Sequence, residues 1–121
     1  MQNIQVFGIK SSNATRAAER FFKERRVAIQ LIDLQQKPMA FGEIKRFIDR
    51  FGMTALLDVD GKAYIDAGLK YLKVSDAELL QKIEREPKLL KLPLVRAAKL
   101  LSIGQDGEAW KAMAAPDKQV K

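Results

Sequence analysis

The stretch from Asn3 to Ile32 constrains the fold more than any other part of the chain, because three periodic segments follow one another with almost no slack. Asn3 to Ile9 is a β-branched and aromatic run and reads as a first strand. From Asn13 the apolar residues fall at Ala14, Ala17, Ala18, Phe21 and Phe22, one face of a helix, and Arg16, Arg20, Lys23, Arg25 and Arg26 occupy the other faces. "RRVAIQLIDL" then supplies a second strand at about Val27 to Ile32. Connections this short favour a parallel pair of strands joined by a right-handed crossover. The chain therefore opens as an α/β domain.

Further along, "KPMAFGEIKRFIDRFG" places Phe41, Ile44, Phe47, Ile48 and Phe51 on one side of a helix that Gly52 ends, and the stripe reads as core. A short helical piece is expected at Thr54 to Leu57, and Asp60-Gly61 is a turn signal. "SDAE", Ser75 to Glu78, has capping-box spacing ahead of Leu79, Leu80 and Ile83, and Pro87 closes that helix. "LPLVRAAKLLSIG" reads as two final strands, Leu94 to Arg96 and Leu100 to Ile103, with "RAAK" as a turn that contains neither Gly nor Asn. "QDGEAWKAM" forms a last helix with Trp110 and Met113 on its packed side. The order predicts one domain over residues 1–114 and a flexible tail over 115–121, with no internal repeat.

At 121 residues the chain is long enough to bury a single core without disulfides or metal. Its 47% hydrophobic and 31% charged residues are those of a soluble globular protein. No apolar run approaches the ~20 residues a bilayer span needs. "MQNIQVFGIK" lacks the basic and apolar regions of a signal peptide, so a cytoplasmic protein without membrane contact is expected.

The absences exclude whole classes of chemistry. With no Cys and no His, thiolate nucleophiles, disulfide exchange, structural zinc and imidazole acid–base work are all ruled out. A serine nucleophile would have to find its base among Lys, Asp and Glu. Asp58, Asp60 and Asp66 match no metal-binding loop, so neither metal nor cofactor is expected. The net charge of +7 suggests an acidic partner: nucleic acid, an acidic protein face or a small anion. Aromatic residues are few and do not interleave with the basic ones, which argues against nucleic acid. The cluster Arg85, Lys88, Lys91, Arg96 and Lys99 is either a face for an acidic partner or a solvated edge.

The junction of the first strand and helix is the candidate site. A helix beginning near Asn13 leaves its first N–H groups free and carries a partial positive charge there. Ser12 and Asn13 are good N-cap residues, and Lys10 and Arg16 add full charges. With Ser11 and Thr15 these make a candidate anion-binding set. The competing account is that Ser12 caps the helix and Arg16 lies on the surface, in which case losing the cap costs ~1 kcal/mol and no function.

These segments resemble the glutaredoxin-coupled arsenate reductases and the Spx-type transcriptional regulators. "VFGIKSSNATRAAERFF" looks like that family's opening strand, its Cys-x-x-[Thr/Ser/Cys]-Arg loop and its first helix. Lys37-Pro38 with the following helix, "LLDVDGKAYIDAGLK", "EREPKLLKLPLV" and "IGQDGEAWKAM" resemble its later blocks in the same order, from about Ile4 to Met113. The resemblance implies a thioredoxin-like fold: a four-stranded mixed sheet flanked by helices, with a helical insert. It also implies a cis peptide bond at Leu92–Pro93, with Pro93 facing the redox loop.

The departures from the pattern bear on function. Aligned through Arg16, the family's nucleophilic cysteine falls on Ser12 and the second cysteine of the Spx-type pair on Thr15. Two arginines that hold the oxyanion in arsenate reductases fall on Asp58 and Leu92. Arg96 stands four residues beyond Leu92, too far along a strand to be assumed a replacement. The leading expectation is a member with no catalytic residue, in a protein-interaction or regulatory role, with RNA polymerase as the partner the Spx resemblance implies. The alternatives are a thiol-dependent reductase whose cysteine has been replaced at Ser12, naturally or by engineering, or a protein that binds a small anion or glutathione.

Overall fold

The computed structural model describes residues 4–69, 71–97 and 100–114. Two compact units divide the chain: Met1–Asp33 with Leu92–Lys121, and Leu34–Lys91. The second is inserted between the two halves of the first.

The discontinuous unit is built on four strands in the order β2-β1-β3-β4. β1 (Ile4–Gly8) pairs in parallel with β2 (Ile29–Asp33) and antiparallel with β3 (Leu94–Ala97). β3 pairs antiparallel with β4 (Leu100–Ile103), so the sheet is mixed. Alternation along the strands turns Ile4, Val6, Val95 and Ala97 to one face. There they form a core with Ala18 and Phe22 of α1 (Asn13–Glu24) and Trp110 and Met113 of α6 (Gly107–Ala114). The rings of Phe21 and Phe22 lie 5.5 and 6.3 Å from that of Trp110. On the opposite face Gln5 stands in a polar row, accepting from Arg96 at 2.6 Å and donating to Gln30 at 3.3 Å.

The end of α1 explains why β2 begins at Ile29 and not at Val27. Val27 N–H donates to Phe22 C=O and Arg26 N–H to Lys23 C=O, the paired bonds of a Schellman cap. Val27 is thereby committed to closing the helix. Arg26 holds the left-handed position of that motif, with φ 57°, where glycine is the unstrained residue. Arg26→Gly is expected to raise stability by about 1 kcal/mol, read as a shift in the urea midpoint.

The inserted unit contains α2 (Phe41–Phe51), α3 (Met53–Leu56), α4 (Lys62–Asp66) and α5 (Asp76–Arg85), followed by a 3-10 turn at Pro87–Leu89. Gly52, at φ 90°, lets the chain leave α2 and enter α3 without a spacer. Leu57 bridges to Leu90, and the flanking bonds Asp58 N–H to Leu89 C=O and Lys91 N–H to Leu56 C=O, both 2.8 Å, tie the unit together. The pairing also sets the end of α3, one residue earlier than expected. The capping box forms: Ser75 Oγ accepts from Glu78 N–H, and Glu78 Oε1 accepts from Ser75 N–H. On α4, Lys62 Nζ donates to Asp66 at 2.6 Å, and this bond and the neighbouring negative charge raise the lysine's pKa.

One core expectation is corrected. Ile44 and Phe47 are buried, but Phe41, at the same helical spacing, is 61% exposed. It is the first residue of α2, and periodicity assigns a face without telling whether anything covers the helix end. The expected turn residues Ala98 and Lys99 and the expected tail 115–121 lie outside the described residues.

Candidate functional site

β1 stops at Gly8 because the next residues form a turn. Ser12 N–H donates to Ile9 C=O at 3.1 Å, leaving Lys10 and Ser11 exposed at the corner. Ser12 then takes an extended conformation, φ −79° and ψ 123°, and starts α1 as its N-cap. Its Oγ accepts from Thr15 N–H at 3.1 Å and its carbonyl accepts from Arg16 N–H at 3.0 Å. The hydroxyl thus satisfies a helix-end donor. A backbone N–H cannot remove its proton, so this contact gives Ser12 no activation as a nucleophile.

Arg16 stays exposed, yet it is tied down. Its Nε donates to the Lys10 carbonyl at 2.9 Å, bracing the turn from the first turn of the helix. Asn13 is the first helical residue and is exposed. Lys10, Ser11, Ser12, Asn13 and Arg16 therefore gather around one helix start.

Thr15 sits differently, since it is fully buried. Its side chain packs on Gly8, where an added Cβ would lie 2.7 Å from Thr15 Cγ2 and closer still to Oγ1. Thr15 Oγ1 has no hydrogen-bond partner. Burying an unpaired hydroxyl costs free energy that an isosteric methyl would not. Thr15→Val is accordingly expected to raise stability by about 1–2 kcal/mol in a thermal or urea melt.

Gly8 is the residue of this site that sequence reasoning passed over. A lone glycine at the end of a strand is a signal of close backbone approach, and it was available in "VFGIK".

The Leu92–Pro93 peptide bond is cis. Phe7 pairs with Leu94, so Pro93 lies at the end of the sheet from which Gly8 leads into the Ser12 turn. Pro93 C=O accepts from Gly104 N–H at 3.1 Å, and Leu92 is buried. Asp58 belongs to the inserted unit, where its carboxylate folds over Gly61 at the start of α4. Of the expected basic cluster, Arg96 is on the sheet with Gln5, and Lys99 lies outside the described residues. Among the described residues, no three acidic side chains are grouped to hold a metal, and no helix is long and apolar enough to cross a membrane.

The sequence profile of the ArsC family matches residues 7–113. An arsenate reductase of Neisseria meningitidis serogroup A is 25% identical over 116 residues, covering 93% of this chain and 99% of the relative. Among solved structures, the YffB protein superposes with a TM-score of 0.82 at 18% identity, over 93% of this chain and 100% of its own. The arsenate reductase from Vibrio cholerae gives 0.77 at 18% identity, over 93% and 98%. Those two likenesses establish the thioredoxin-like fold.

Proposed function

The chain belongs to the ArsC family, and from that premise we propose that it is a member without thiol chemistry, acting through protein interaction or regulation and not as a reductase. This reading is supported by the residue on which, by the resemblance aligned through Arg16, the family's nucleophilic cysteine falls. That residue is Ser12, its hydroxyl accepts from a backbone N–H of its own helix, and the 121 residues contain no cysteine. Asp58 and Leu92, at positions where the family resemblance leads one to look for arginines, support it further. A site without sulfur cannot form the mixed disulfide that couples such an enzyme to a thiol reductant.

The test is direct. Incubated with arsenate, glutathione and glutaredoxin, the protein is expected to give no arsenite above the protein-free background, and turnover above background would overturn the reading. Titration with glutathione or phosphate while following the amides of Ser12 to Arg16 addresses the anion-binding alternative. RNA polymerase is the interaction partner to test first, on the Spx resemblance alone, and its binding is expected to be the same under oxidant and reductant.

A further inference from the structure

α1 treats its charges differently from the other helices. In α2, α4 and α6 a cation stands beside a carboxylate three or four positions away: Lys45 by Asp49 at 2.9 Å, Lys62 by Asp66 at 2.6 Å and Lys111 by Glu108 at 3.9 Å. α1 has the same opportunities, Glu19 with Lys23 and Arg20 with Glu24, and uses neither. Among the described residues Arg16, Arg20 and Lys23 make no ion pair, and all three are exposed. At about 100° per residue they fall within an arc of roughly 60° and span about 10 Å of the helix axis. Lys10 heads the row, since its carbonyl accepts from Arg16 Nε at 2.9 Å. Thr15, Ala18 and Phe22 face the other way, into the core. Like charges three and four positions apart destabilise a helix. Just beyond α1, Arg26 occupies φ 57°, where a side chain is strained. A row of uncompensated cations, kept against local stability, fits a surface whose counter-charge comes from outside.

We infer that this face of α1 receives an acidic helix of a partner protein, whose carboxylates meet Arg16, Arg20 and Lys23. Two helices laid side by side share one rise per residue, so carboxylates repeating at three and four positions match the row along its length. A single phosphate or sulfate cannot reach cations spread over about 10 Å. Nucleic acid fits less well. Glu19 and Glu24 each lie about 40° outside the arc, one on either side, and would meet the phosphates that flank a helix set in a groove. Phe21 and Phe22 pack toward Trp110, so the helix offers no ring for stacking a single strand. A second copy of this chain lacks the complement, because the acids of α5, Asp76, Glu78 and Glu84, are spaced by two and six positions. The inference deepens the interaction role proposed above and rests on that part of it alone. Arsenate turnover would leave this face untouched, and failure to bind an acidic helix would leave the Ser12 reading standing.

The full chain, followed by its backbone amides, is titrated with a short helical peptide carrying glutamates at i, i+4 and i+7. A peptide of the same composition with its glutamates scattered round the helix and a DNA duplex are the comparisons. Saturable shifts along Arg16 to Lys23 are expected with the first peptide, with affinity falling as salt is added. Arg20→Glu/Lys23→Glu is expected to weaken binding by about tenfold or more, and Arg20→Gln/Lys23→Gln by less. Lys37→Glu/Lys88→Glu, at exposed cations of the inserted unit, changes the net charge as much as the first variant and is expected to alter affinity by less than about twofold. Amides outside α1 that are unchanged in the free variants confirm that the fold is intact. Absence of shifts on α1, equal binding of the scattered peptide, equal weakening by the Lys37 and Lys88 changes, or tighter binding of the duplex would each overturn the inference.

Discussion

Gly8→Ala should destabilise the protein by about 1–3 kcal/mol, the usual cost of forcing an extra methyl into a filled interior. Glycine-to-alanine changes usually stabilise through the unfolded chain, by ~0.4–1 kcal/mol, wherever the native backbone and the space allow it. Here the space does not allow it. The new Cβ would meet Thr15 Oγ1 and Cγ2, the latter at 2.7 Å, and Thr15 is fully buried. A β-branched side chain in the first turn of a helix has few rotamers to retreat into. Relief would have to come from α1 moving off β1, which would disturb the Ser12 cap as well. Thr15→Ala in the same chain should recover most of the loss, because it removes both atoms in conflict. A double-mutant cycle on urea midpoints measures the pairing, and a coupling below ~0.5 kcal/mol would show that the two residues do not meet.

Phe22→Ala is expected to cost more, about 3–5 kcal/mol. Phe22 is wholly buried in the core made by β1, β3, α1 and α6, edge-on to Phe21 at 5.2 Å and 6.3 Å from Trp110. Truncation opens a cavity where strands from both ends of the sequence meet. Against a typical total of ~5–15 kcal/mol, such a loss leaves a large unfolded fraction on modest warming. Phe22→Leu, which keeps most of the volume, should lose less than about 1.5 kcal/mol. Comparable melts for the two variants would place the stability of this unit elsewhere.

The parts of the molecule that were legible in the sequence are those governed by near neighbours. The periodicity from Ala14 to Phe22, the cap at Ser12 and the box at Ser75–Glu78 each depend on residues within a few positions, and each takes the expected form. Contacts between distant segments were not legible. Nothing local announces that Thr15 will rest on Gly8, although the glycine hinted at a close approach. Nor could spacing tell that Arg16 would reach back to the Lys10 carbonyl instead of projecting freely. Phe41 carries the same lesson in reverse: its place on the apolar stripe was plain, but its cover was a question for the rest of the fold. The start of β2 slipped because Val27 is held by a helix-closing bond that only a left-handed Arg26 makes available.

Strand order has a consequence for how the protein is made. β1, translated before the other three strands, lies inside the sheet, and its antiparallel neighbour β3 is translated only after the inserted segment; Gln5 meets Arg96 across 91 positions. During synthesis the nascent β1 can pair with β2 on one side while its other edge waits, through the whole of the inserted segment, for residues beyond Leu94. An open edge of that kind is a template for unwanted pairing between chains. The interval of translation that separates the two strands is therefore when this polypeptide is most exposed to aggregation, and when a chaperone would do it most good.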